Sequence, residues 1–195
     1  MRGELERLID AVATLTQDRT AVTGPASSEA LASLLKRYPD LPAEVLDFYR
    51  VTDGGLLSDP WWEFASIAGV LANADMLDAM IGADFADWVG WWSKDWIPVG
   101  VDVSGNALCV DTGGAVGELR GQVLIFMHDE ERRRIIAPSF GDYIRCLRIA
   151  TEADVVRYDP EDGFCLEGNQ ERWEAFLSGQ NPGYPIERRA TTAAS

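Results

Sequence analysis

His128 is the single histidine of the chain. With Asp129 beside it and a serine or cysteine elsewhere, it could serve a nucleophilic triad, in which a carboxylate orients the ring that takes the nucleophile's proton. The run QVLIFMH alternates like a strand, however, and strand neighbours point to opposite faces, so Asp129 cannot orient His128. The expectation is a structural histidine at a strand end. Residues 102–106, DVSGN, begin like a calcium loop, but the sixth and twelfth places, which call for Gly and a bidentate Glu, hold Ala107 and Gly113. A hairpin turn explains them more simply. Residues 113–117, GGAVG, lack the Lys-Ser/Thr and the strand–helix setting of a phosphate loop. Carboxylate pairs abound among 32 acids, so none stands out for acid–base work. Cys109 alternates with apolar neighbours and reads as a core filler, and Arg132, Arg133 and Arg134 read as a solvated hairpin turn. The expectation is a chain with no catalytic residue, no metal and no cofactor.

Binding is better supported than catalysis. Residues 40–111 hold thirteen acids against Arg50 and Lys94, a net −11 in 72 residues, and six of the seven tryptophans. If these acids share a side, they make one strongly negative face. Each tryptophan is read first as core, yet tryptophan also anchors interfaces. On a strand, neither Trp61 with Trp62 nor Trp91 with Trp92 could point inward together, so one member of each pair is expected to be semi-exposed. The candidate partner-binding residues are Asp53, Asp59, Trp61, Trp62, Asp84, Asp87 and Trp92, which could equally be core tryptophans beside solvated acids.

The elements that must position these residues follow from periodicity. Leu5, Leu8, Ile9, Val12 and Leu15 place an amphipathic helix over 4–17. Ser27 or Ser28 can cap a second helix, which Pro39 stops. A third opens near Pro42 and ends at Gly54 and Gly55, in the manner of a left-handed cap. A short fourth helix is expected over 73–81, capped by Asn73, with Met76, Leu77 and Met80 inward. From Trp96 the period falls to two, and WIPVGVDV, NALCVD, QVLIFMH and RRIIA follow with short turns between them. Such loops require an antiparallel meander. Ser139 opens a helix carrying Phe140, Tyr143, Ile144 and Leu147. Two weak strands, near 155–158 and 164–166, and a helix near 170–177 precede the segment NPGYPIERRATTAAS. The fold class expected is α+β, an antiparallel meander sheet flanked by N-terminal helices and one or two C-terminal helices.

Over all 195 residues, 17 Lys and Arg face 32 Asp and Glu, a formal charge of −15. Nucleic acid and anionic membranes reward basic patches, so neither is an expected partner; a basic protein is, although acidity can also serve solubility alone. Three cysteines without a CxxC pair, no apolar signal core and no 18-residue apolar run point to a soluble, reduced, cytoplasmic protein.

The residues from about 41 to 147 resemble the SMI1/KNR4 family, the SUKH superfamily. The resemblance rests on LPAEVLDFYRVTDGG, WIPVGVDVSGNALCVD, GQVLIFMHDEERRRIIAPSF and the helix that follows, in that order. It implies one SUKH-like domain over 1–195, with its core at about 27–150 and an extension at 151–195 ending in a loose tail. It also implies a non-catalytic protein-binding role. Many bacterial relatives are immunity proteins that neutralise polymorphic-toxin domains, often nucleases or deaminases, and fungal relatives are regulatory scaffolds of cell-wall assembly. An immunity protein for a basic toxin domain is therefore the expected function, a regulatory scaffold the alternative, and a hydrolase the remotest. The resemblance carries over no binding residues.

Overall fold

The computed structural model describes residues 1–17, 22–55, 57, 59–81, 90–116 and 119–189. Three helices come first, α1 (Arg2–Thr16), α2 (Ser28–Arg37) and α3 (Ala43–Tyr49). The Ser27 hydroxyl caps α2 by accepting from the Ala30 N–H at 3.1 Å. A two-residue strand, β1 (Glu63–Phe64), leads to α4 (Ile67–Met80), and then the meander runs β2 (Trp96–Val101), β3 (Ala107–Asp111), β4 (Gln122–Phe126) and β5 (Arg132–Ala137). Next come α5 (Phe140–Glu152), the hairpin β6 (Val156–Asp159) and β7 (Gly163–Leu166), α6 (Gln170–Gln180) and β8 (Ile186–Arg189). The main sheet has the order β1-β2-β3-β4-β5-β8 with every pairing antiparallel. The class is α+β with a meander sheet, as the change of period implies.

Both faces of this sheet are buried, because its central strands are apolar at successive positions. Ile97, Val99, Leu108, Val110, Val123 and Ile136 face a large core with Leu5, Leu8 and Val12 of α1, Val45 and Phe48 of α3, and Ile144 and Leu147 of α5. Trp96, Ala107, Cys109, Leu124, Phe126 and Ile135 face a smaller core completed by Leu77, Trp91, Trp92 and Val116. At about 25 cal/mol per Å² of apolar surface, burying a single tryptophan of about 200 Å² contributes several kcal/mol. Ser139 caps α5 by accepting from the Asp142 N–H at 3.1 Å, and Glu44 of α3 accepts from the Gly141 N–H at 2.9 Å, tying α3 to the start of α5.

Several expectations are corrected by tertiary contacts. Helix α3 stops at Tyr49, and Gly54 and Gly55 (φ +92° and +112°) instead form a turn in which Gly55 pairs with Phe64. Helix α4 starts at Ile67 under a Ser66 cap, not at Asn73. Its inward stripe is Ile67, Val70, Ala74 and Leu77, which leaves Met76 half exposed. The arginine run is half of β5 rather than a solvated turn, and Arg133 is wholly buried. Of the tail, residues 186–189 form β8, which pairs Arg134 with Glu187 and Ile135 with Ile186. Its sequence, IERR, has no alternation to betray a strand at a sheet edge.

Candidate functional site

The segment before β1 is a tight turn built on a buried acid. Asp59 Oδ1 accepts the backbone N–H of Trp61 at 3.0 Å and of Trp62 at 3.2 Å. Its Oδ2 accepts from the hydroxyl of Tyr143 on α5. Burial dominates the electrostatics and pushes the Asp59 carboxyl up to about 6, against the opposing pull of those three donors. The same burial, with Asp59 alongside, raises the Tyr143 hydroxyl well above its ordinary value.

This turn sends its two tryptophans in opposite directions. Trp62 is 6% exposed and packs over Gly100, where a Cβ would come within 3.1 Å of the Trp62 Cβ. Trp61 is 43% exposed, and its ring lies 5.6 Å from that of Trp173 on α6. Trp173 in turn stacks on Phe176 at 5.7 Å. The expectation of one semi-exposed member therefore holds for this pair. Trp91 and Trp92 are both buried, at 3% and 6%, because they lie in an irregular segment where strand alternation does not apply.

Between Trp61 and α6 opens a groove of about 620 Å³. One wall is Pro60, Trp61, Trp62 and Tyr143; the floor is Ile125, Met127 and Ile136 of the sheet region; the other wall is Gln170, Trp173, Glu174 and Leu177 of α6 with Glu187 of β8. Asp102, Glu130, Arg132, Arg133 and Arg134 add charge. Arg134 is matched by Glu174 at 2.8 Å, which holds the Glu174 carboxyl below its ordinary value, and Arg132 by Glu187 at 3.4 Å. Asp102 accepts three N–H bonds, from the Ser104 and Asn106 backbones and the Asn106 side chain, and so closes its own hairpin turn. Glu130 is exposed and forms no ion pair among the described residues.

The structure thus brings together Asp59, Trp61 and Trp62 of the sequence candidates, with Asp59 beneath the surface as the support. Asp53 lies elsewhere, at the start of α4, accepting the Ile67 N–H at 2.8 Å. Trp92 is turned into the smaller core, its Nε1 donating to Asp78 at 2.9 Å. Asp84 and Asp87 lie outside the described residues. Trp173, Tyr143 and Glu130 also line the groove and were not among the sequence candidates, because no local pattern brings α5, α6 and the β4–β5 turn together.

The acid-rich segment does not form a bare negative sheet of charge. Of its described members, Asp40, Asp47 and Asp78 pair with Arg120, Arg50 and Arg37. Glu44, Asp53, Asp59, Asp102 and Asp111 accept backbone N–H groups. That leaves Glu63, Asp75 and Asp95 as exposed acids.

His128 Nδ1 lies 2.9 Å from Asn106 Oδ1, a side-chain amide and not a carboxylate. Burial raises the Cys109 thiol well above its ordinary value and that of Cys146 to about 11, so neither supplies a thiolate at neutral pH. Arg133 is buried over the rings of Trp96 and Phe126, and its Nη atoms donate to the carbonyls of Trp91, Met127, Glu130 and Arg132. Among the described residues no three His, Cys, Asp or Glu side chains gather as a metal-ligand group, and no helix is long and apolar enough to cross a membrane.

An antiparallel meander sheet flanked by helices is the fold that the resemblance to a SUKH-like domain implies. The model of the SMI1 / KNR4 family (SUKH-1) matches residues 25–146, and the chain belongs to that family. No curated protein matches the chain in sequence.

Proposed function

We propose that this chain is a non-catalytic protein-binding domain, an immunity protein that captures a basic toxin domain of nuclease or deaminase type. The observation that carries this reading is the presentation of Trp61. A large aromatic is held half exposed at the rim of a groove by a turn whose buried Asp59 fixes both following amides, so the anchor is ordered before any partner arrives. Family membership and the net charge of −15 support it, the latter by steering a cationic partner toward the surface.

The test is to read the genes beside this chain for a toxin domain and to reconstitute any such domain with the protein. One-to-one mixing is expected to abolish the toxin's activity, with an affinity that falls steeply as salt rises. An affinity indifferent to ionic strength would remove the electrostatic part of the reading. Co-purification with a set of housekeeping proteins in place of one stoichiometric toxin would favour a regulatory scaffold.

A further inference from the structure

The groove beside Trp61 has a charge pattern that selects its occupant. Arg132 and Arg134, which could draw an anion, are each already matched by a carboxylate, Glu187 at 3.4 Å and Glu174 at 2.8 Å. The negative charges are not matched in the same way. Asp102 is bonded only to neutral amide donors. Glu130 feels the buried Arg133 electrostatically but forms no ion pair among the described residues, while the Arg133 Nη donors are taken up by backbone carbonyls. The rings of Trp61 and Trp173, 5.6 Å apart, add the negative faces that attract cations, and Trp61 is open to solvent. At about 620 Å³ the groove is of the size that encloses a ligand and exceeds what one side chain needs.

We infer that this groove is a socket for a short arginine- or lysine-bearing segment of the partner, with the aliphatic stem and cation laid against Trp61 and Trp173 and the charge directed to Glu130 and Asp102. The inference rests on the protein-binding reading above and specifies which surface performs it. A neutral apolar segment would leave Glu130 and Asp102 facing apolar surface, and an acidic segment would meet them as like charges.

The test uses a fluorescein-labelled hexa-arginine peptide with the full chain, followed by anisotropy at about 150 mM salt, where charges more than about 8 Å apart are largely screened. Saturable binding is expected, weakened about tenfold or more by Trp61→Ala and by Glu130→Lys. Both positions are exposed, so far-UV circular dichroism should be unchanged. Asp75→Asn and Asp95→Asn, at exposed acids away from the groove, should leave affinity within about twofold, and a hexa-glutamate peptide should not bind. Absence of saturable binding overturns the proposal. So does equal weakening by the control substitutions, since that would mean general attraction to an acidic surface. The same variants separate the two readings: a captured toxin insensitive to Glu130→Lys and Trp61→Ala refutes the socket and leaves the immunity reading intact. Peptide binding at the groove with no toxin partner does the reverse.

Discussion

Replacing Asp59 with Asn should change how the fold responds to pH more than it changes the fold. The amide oxygen can still accept the Trp61 and Trp62 N–H groups, and the amide nitrogen can donate to the Tyr143 hydroxyl, so the turn survives. What disappears is a carboxyl that titrates at about 6 in the fold against an ordinary 3.8. A raised folded value means the native state binds the proton more tightly than the unfolded chain. The resulting stability is fully present below the unfolded value and is lost as pH rises through about 6. At about 1.4 kcal/mol per tenfold change in proton affinity, the limiting contribution is about 3 kcal/mol, of which about 2 kcal/mol lies between pH 4 and pH 7. Urea unfolding of both proteins across that range provides the assay. The stability of Asp59→Asn minus that of the parent is expected to grow by about 2 kcal/mol from pH 4 to pH 7. Carboxyls held low by arginines, such as Glu4 and Glu174, lose stability on acidification in both proteins and cancel from the difference. A difference flat across this range would refute the account of Asp59 as a buried, desolvated acid.

Arg133→Met should cost about 2–4 kcal/mol by leaving the carbonyls of Trp91 and Glu130 without their donor, and Arg133→Lys should not rescue it, since one ammonium cannot replace the fork; urea midpoints at constant slope check both. Gly54→Ala places a Cβ 2.4 Å from the backbone oxygen of Phe64 at φ +92°, so a loss of about 3 kcal/mol and a Tm fall of about 6–12 °C are expected by calorimetry. Trp173→Ala should cost about 3–5 kcal/mol in urea unfolding and shift tryptophan emission to longer wavelength as Trp61 loses its neighbour.

The meander was legible because its strands are short β-rich runs and each turn between them carries its own chemistry; the Asp102 turn, for instance, is closed by the acid and asparagine that define it. The caps at Ser27 and Ser139 were legible for the same local reason. Arg133 was not, because its burial depends on carbonyls from Trp91, forty-two residues away, which no local pattern discloses. The start of α4 was misplaced because its buried stripe begins at Ile67 within a nearly uniform apolar run. At the candidate site, Trp61 and Trp62 were found from composition alone. Their assignment to opposite environments needed the Asp59 turn, and Trp173 needed the return of α6 to the sheet. Charge was the least legible feature. The count of acids was correct, but many of them were already committed to backbone donors and arginines.

The groove has a divided inheritance. Trp61 and Tyr143 fall within the stretch shared with the family, residues 25–146, whereas Trp173, Glu174 and Glu187 fall beyond it. Because β8 is the edge strand and α6 is tied to β5 by the Glu174–Arg134 pair, substitutions along their exposed faces alter one wall while the meander and the Asp59 turn keep their packing. The exposed positions of α6 and β8 can therefore change the shape and charge of the groove at little cost to folding, whereas the buried Trp173 and Leu177 cannot.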